Sequence, residues 1–72
     1  MSEDVILDVR WLEPPEPFER IVAALETLQR SASLRVRIHR EPYPLYRFLQ
    51  REGYFFTTRY DPEGFFEITI SR

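Results

Sequence analysis

The stretch from Asp8 to Phe18 constrains the fold most, because three prolines stiffen a passage from a strand into a helix. Residues 5–9 are mostly β-branched and apolar, and they predict a short strand. A residue before a proline is biased toward extended backbone, so the helix is expected to begin only near Pro17. The fixed φ of Pro17 and its missing N–H suit a first helical position.

The helix is predicted to run to about Arg30. Apolar residues recur at spacings of three and four, as on the buried stripe of an amphipathic helix: Phe18, Ile21, Val22, Leu25 and Leu28. On its outer face two i,i+4 ion pairs are predicted, Glu16 with Arg20 and Glu26 with Arg30.

Residues 34–39 alternate strictly between apolar and polar side chains and form the clearest strand pattern in the chain. Leu34, Val36 and Ile38 are expected to face the core. A strand, a helix and a strand within about 35 residues predict a right-handed βαβ unit, whose two strands are parallel.

The second half of the chain predicts a second helix and a hairpin. Pro44 suits a first helical turn, and Gly53 lies where a left-handed C-terminal cap belongs. Residues 54–60 and 66–71 read as strands joined by a turn at 61–64. The whole pattern is β-α-β-α-β-β, which predicts a two-layer α/β (α+β) sandwich, spanning residues 1–72 as one domain, with a four-stranded mixed sheet and both helices on one face.

Composition excludes several chemistries. The chain has no cysteine and all ten of its basic residues are arginine, so disulfides, thiolate metal sites, thiol nucleophiles and lysine Schiff bases are ruled out within these 72 residues. The net charge of −2 argues against a general affinity for nucleic acid or anionic membranes. No apolar run approaches the roughly 20 residues of a membrane span and no signal segment is visible, so a cytoplasmic location is expected.

The head of the chain resembles the TusA/SirA family of small bacterial sulfur carriers, in which Cys-Pro-x-Pro opens the first helix after an Asp-x-x-Gly-type turn. Asp8 matches that pattern, and so does Pro15-Glu16-Pro17. Trp11 stands where the glycine is expected, and Pro14 stands where the family has its sulfur-carrying cysteine. The resemblance implies the TusA-like fold. Because persulfide transfer needs a thiolate, sulfur relay by this chain is excluded.

The chain is still more similar to an uncharacterised branch of TusA-like domains of unknown function. The shared features are the Asp-x-Arg-x-Leu-x-Pro-Pro-Glu-Pro head, a second motif at residues 39–46, and Glu52-Gly53-Tyr54. Members of that branch occur alone or beside other domains, including hemerythrin-like ones. This resemblance implies a fold and the loss of the cysteine, and no reaction.

Two groups of polar and aromatic residues follow the two parallel strands and predict a binding site. The carboxyl ends of parallel strands, beside helix N-termini, are where open α/β sheets bind ligands, and helix N-termini favour anions. The candidate residues are Arg10, Trp11, Glu13, His39, Arg40 and Glu41. The competing interpretation is structural: Glu13, Glu16, Glu19 and Glu41 occupy the helix dipoles and pair with Arg10 and Arg40.

Two of these candidates carry further alternatives. His39 could act in acid–base chemistry or bind a metal with Glu13 or Glu41, but one histidine and two carboxylates are a weak signal, so no metal and no cofactor are predicted. An exposed structural or binding role is favoured for it. Trp11 is either an interaction anchor or a lid folded over the first helix.

The open face of the sheet is a third candidate surface. Arg35 and Arg37 lie there, and arginines beside an aromatic residue can bind RNA. The other residues expected on that face are Phe55, Thr57, Arg59, Glu67 and Thr69. The acidic net charge favours instead a solvated face with cross-strand pairs such as Arg35 or Arg37 with Glu67.

Together these patterns predict a non-enzymatic binding or regulatory module that acts through the edge formed by the two loops. Its expected partner is another protein, and a small anion is the other possibility. The first alternative is a small enzyme or anion-binding protein that uses His39 and Arg40. The second alternative is RNA binding on the open face; nucleic acid and membranes are otherwise not expected as partners.

Overall fold

The computed structural model describes residues 3–72; Met1 and Ser2 of the predicted domain lie outside the described residues. The elements occur in the predicted order: β1 (Asp4–Asp8), α1 (Glu16–Thr27), β2 (Ser33–Ile38), α2 (Tyr43–Glu52), β3 (Phe55–Asp61) and β4 (Phe65–Ser71). Both helices carry a proline at their second residue. Pro17 therefore lies one position later than expected, whereas Pro44 lies in the first helical turn, as predicted.

The four strands form one mixed sheet in the order β1-β2-β4-β3. β1 and β2 are parallel, as the βαβ pattern predicts, with Leu7 opposite Val36. β4 is antiparallel to both β2 and β3, and Val36 lies opposite Ile68. The predicted fold class is therefore confirmed.

The core lies between the two helices and one face of the sheet. Leu34, Val36 and Ile38 are buried there, as the alternation predicts. The helices add their apolar stripes, and the cluster is completed by β4 and the loops: Val9, Ile21, Leu25, Leu28, Ala32, Leu45, Leu49, Ile68 and Ile70. The opposite face of the sheet carries mostly polar side chains and packs no helix.

The end of α1 differs from the prediction. The helix ends at Thr27, because Leu28 adopts extended backbone with ψ 130° and turns its side chain into the core. Arg30 therefore lies beyond the helix, and the predicted pairing of Glu26 with Arg30 on one helical face is wrong. The other predicted pair forms, with 3.4 Å between Arg20 and Glu16. At α2, Gly53 has φ 81° and caps the helix in the left-handed conformation, as predicted.

The sheet has two uncovered edges, β1 and β3. On β1 the apolar Val5 and Ile6 are 44% and 55% exposed, and an aspartate stands at each end of the strand. Asp4 pairs with Arg35 at 2.8 Å, and Asp8 pairs with Arg10 at 2.7 Å. Among residues 3–72, neither helix is long and apolar enough to span a lipid bilayer.

Candidate functional site

Three loops meet at one end of the sheet. The first loop, residues 9–15, follows β1, and the second loop, residues 39–42, follows β2. The turn between β3 and β4 is the third, because antiparallel pairing places Ile38 opposite Phe66 and Phe66 opposite Tyr60 at this end. This turn is not among the site residues predicted from the sequence, although the hairpin pattern and the strand order together place it here.

The first loop is fixed by an ion pair that engages Arg10. Its Nε donates to Asp8 Oδ1 at 2.9 Å and its Nη2 donates to Asp8 Oδ2 at 2.7 Å. The guanidinium also lies over the ring of Phe65, 4.6 Å from its centroid. The side-chain hydrogen bonds from Arg10 hold the pKa of Asp8 below its ordinary value, against the smaller opposing effect of burial. Arg10 is therefore a structural cation paired with Asp8, and the expected pairing with a helix-capping glutamate is wrong.

Trp11 is the most exposed large apolar side chain of the described residues. It is 79% exposed, so the alternative that it folds over the first helix as a lid is wrong. Its ring meets the ring of His39 edge to face, with the centroids 5.8 Å apart and the planes at 88°. This contact joins the first and second loops, 28 positions apart in the chain. The tryptophan is thus held against its neighbour while most of its surface faces solvent.

Glu41 is held by two tyrosines instead of by Arg40. Tyr43 donates its hydroxyl to Oε1 of Glu41 at 2.9 Å, and Tyr46 donates to Oε2 at 3.1 Å. Thr58 of β3 donates in turn to the Tyr46 hydroxyl at 2.8 Å. Burial raises the pKa of Tyr46 above its ordinary value, and the nearby Glu41 carboxylate raises it further, against the lowering effect of the hydrogen bond from Thr58. The expected pairing of Glu41 with Arg40 is therefore wrong, and the second loop is tied to α2 and β3.

Two adjoining grooves open between the loops. The apolar groove, about 450 Å³, lies between the prolines of the two loops and is bounded by Pro14, Pro15, Phe18, Pro42, Pro44 and Leu45. The polar groove, about 470 Å³, is bounded by Arg10, Trp11, Glu13 and His39. Pro14, Pro17, Ile38 and Arg40 line both grooves. Five of the six candidate residues therefore surround the polar groove, and Glu41 lines the apolar one.

The arrangement positions Pro14 and Arg40 at the centre of this surface. Pro14, which is predicted from the motif to occupy the position of the sulfur-carrier cysteine, lies where the two grooves meet. His39 and Arg40 are exposed, and the ring of His39 packs against Trp11. Within residues 3–72, no three histidine or carboxylate side chains converge in a way that could hold a metal ion. Whether these residues bind a partner stays a prediction.

A family model described as an uncharacterized conserved protein (DUF2249) matches residues 6–72. The chain belongs to the DUF2249 family. The matched residues include both proline-stiffened loops of the DUF2249 domain, β1 from Ile6 onward and the three other strands in full. The search of curated proteins finds no match.

The DUF2249 domain also matches a solved structure, the SirA-like protein of Desulfitobacterium hafniense. The two share 19% sequence identity with a TM-score of 0.72, over 97% of this chain and 95% of the other. At that identity the likeness establishes the fold alone. The SirA-like architecture implied by the head motif is confirmed.

On the open face of the DUF2249 domain, the arginines pair with carboxylates of the same face. Glu67 is only 8% exposed, and Arg37 and Arg59 donate to its two oxygens at 3.3 and 3.1 Å. Arg35 lies 4.0 Å from the same carboxylate and donates to Asp4 at 2.8 Å. The predicted cross-strand pairing with Glu67 is confirmed. Because these arginines are engaged with carboxylates on the face itself, the face offers little free positive charge for RNA.

Proposed function

We propose that this DUF2249 domain is a non-enzymatic binding module that docks another protein at the end of the sheet where the three loops meet. The observation that carries the proposal is the exposed Trp11, held edge to face by His39 beside an apolar groove. Tryptophan is among the residues most enriched at the energetic centres of protein interfaces. A tryptophan that is already held in place also loses less side-chain entropy on binding.

The neighbouring surface supports docking because its frame is stiff. Prolines from both loops border the apolar groove, and each has a fixed φ. The second loop is tied by the bonds of Glu41 with Tyr43 and Tyr46, and the first by the pair of Asp8 with Arg10. A preorganised surface binds with a smaller ordering cost.

The chemistry of the edge supports binding over catalysis. The chain has no cysteine or lysine, so covalent catalysis through a thiol or an amine has no residue to act. Neither carboxylate that was a possible partner for His39 forms a hydrogen bond with it. Glu41 accepts from two phenols, and Glu13 is exposed. A proline in the place of the carrier cysteine leaves a carrier-like surface without its reactive group.

The test compares three exposed aromatic and polar substitutions with one matched control. Trp11→Ala, His39→Ala and Arg40→Ala change the edge, whereas Phe55→Ala removes a 70% exposed aromatic residue at the other end of β3. Immobilised wild-type protein is used to capture a partner from lysate of the source cell. Direct titration of the purified partner then gives the affinity of each variant. We expect all three edge variants to bind the partner more weakly than the wild type does. For Trp11→Ala the affinity should fall by tenfold or more, since hot-spot truncations cost about 2 kcal/mol or more. Phe55→Ala should bind as the wild type does.

The stability of the same variants separates a binding role from a structural one. His39→Ala and Arg40→Ala should change the free energy of unfolding by within about 0.5 kcal/mol, as exposed substitutions usually do. The proposal fails if the edge variants bind the partner as tightly as Phe55→Ala does. It also fails if His39→Ala and Arg40→Ala unfold the domain without any separate loss of affinity.

A further inference from the structure

Arg40 is the one charged side chain that borders both grooves. It is exposed and takes part in none of the ion pairs formed among residues 3–72. Pro14, Pro17 and Ile38, which also line both grooves, are apolar. A segment that crosses from one groove into the other must pass over this guanidinium.

The neighbouring carboxylate of Glu41 is also not available as a hydrogen-bond acceptor for Arg40. Both oxygens of Glu41 already accept phenolic hydroxyls, at 2.9 and 3.1 Å, and the Tyr46 hydroxyl is fixed further by Thr58. Turning Glu41 toward Arg40 would break those bonds and leave the partly buried Tyr46 hydroxyl without its acceptor. The guanidinium therefore keeps its hydrogen-bond donors directed to solvent.

An occupant of both grooves removes that solvent. Burying a guanidinium without an acceptor costs several kcal/mol, so an occupant that brings its own acceptor to Arg40 is favoured over one that does not. A carboxylate suits this best, because it can accept two parallel bonds from the planar guanidinium. The apolar groove, bounded by prolines, Phe18 and Leu45, requires an apolar side chain in addition.

We infer that the partner docks through an extended peptide segment that places an aspartate or glutamate on Arg40 and an apolar side chain in the apolar groove. The inference rests on the proposed function, since it names what the edge recognises. Glu13 stays exposed at the rim of the polar groove and disfavours a second acidic residue in the segment on that side. The segment is therefore expected to carry a single acidic residue flanked by apolar or neutral ones.

The test selects binders and then measures the contact. Random peptides displayed on phage are selected on the immobilised domain, and enriched sequences without tryptophan are synthesised. The chain has one tryptophan, so the emission of Trp11 reports occupancy of the polar groove during titration. We expect the enriched peptides to share one acidic residue beside an apolar one. Replacing that acid by its amide should weaken binding by about tenfold or more, as hydrogen bonds to charged groups do.

Arg40→Gln supplies the decisive comparison. Arg51→Gln is the control, because it removes an equal charge from an exposed position of α2. In Arg40→Gln the acidic peptide and its amide should bind with nearly equal affinity, whereas Arg51→Gln should preserve the difference.

Enrichment of basic or uncharged peptides that still depend on Trp11 overturns the inference and leaves the proposed edge intact. Peptides that bind Trp11→Ala as well as wild type, without changing the Trp11 emission, overturn the proposed edge itself. Failure to enrich any peptide counts against a segment as the occupant, while the captured-partner titration still tests the edge.

Discussion

Replacing Glu67 by glutamine should lower the free energy of unfolding by about 2 kcal/mol at neutral pH. The carboxylate is 8% exposed and accepts one bond each from Arg37 and Arg59. Hydrogen bonds to a charged group contribute about 1.5–3 kcal/mol each when they are well buried. The two guanidinium side chains are 35% and 57% exposed, so water screens both bonds. The loss of the buried carboxylate is therefore placed at the low end, about 2 kcal/mol in total.

The same carboxylate gives the prediction a pH dependence. Burial alone would raise the pKa of Glu67, but hydrogen bonds from Arg59 and Arg37 outweigh it and hold the pKa below its ordinary value of 4.5. In acid the unfolded chain therefore takes up this proton before the folded protein does. The stabilisation is complete above the unfolded-state pKa and is lost as the pH falls through the lower, folded-state pKa. The difference between wild type and Glu67→Gln should shrink below pH 4.5.

Urea unfolding followed by circular dichroism measures both effects, at neutral pH and at steps down through the acid range. Glu26→Gln is the control, because it removes an equal charge from an exposed position on α1. That control should stay within about 0.5 kcal/mol of wild type at all pH values. The reasoning is refuted if Glu67→Gln is no less stable than Glu26→Gln at neutral pH, or if the difference from wild type grows in acid.

Three further predictions concern the second loop, sulfur chemistry and RNA. Tyr46→Phe should cost about 1 kcal/mol in urea unfolding, because Glu41 and Thr58 lose their shared partner, whereas Tyr43→Phe, at an exposed position, should cost less. Incubation with a cysteine desulfurase and labelled cysteine should leave no stable label on the chain, since Pro14 has no nucleophile; covalent label would contradict this. Binding to generic RNA at physiological salt should be no tighter than about 10⁻⁴ to 10⁻⁶ M, and tight binding abolished by Arg37→Glu would show that the open face is used.

The sequence predicts most of the fold because its periodicities are unambiguous. Leu34, Val36 and Ile38 alternate as a strand with one buried face must, and all three are buried. Gly53 marks the end of α2, since its left-handed conformation favours glycine. The end of α1 has no such marker, because residues 28–32 contain no glycine or proline, and the burial of Leu28 ends the helix through a tertiary contact.

The candidate site was less predictable because hydrogen-bond partners are chosen in three dimensions. The topology brings the loops of Trp11 and His39 together, as parallel strands require. The spacing of residues gives no sign that Glu41 accepts a hydrogen bond from Tyr46. That hydroxyl is oriented by Thr58 of β3, which is brought close only by the folded structure. The exposure of Trp11 was equally open, since tryptophan is usually well buried.

The uncovered strand β1 has a consequence for how copies of this protein meet at high concentration. A bare strand edge with apolar side chains is a template on which another strand can add. If two copies paired β1 antiparallel about Ile6, Asp4 of each strand would stand opposite Asp8 of the other. Like charges directly opposite one another oppose pairing. The two aspartates thus disfavour pairing of β1 between molecules, although the edge is exposed and partly apolar.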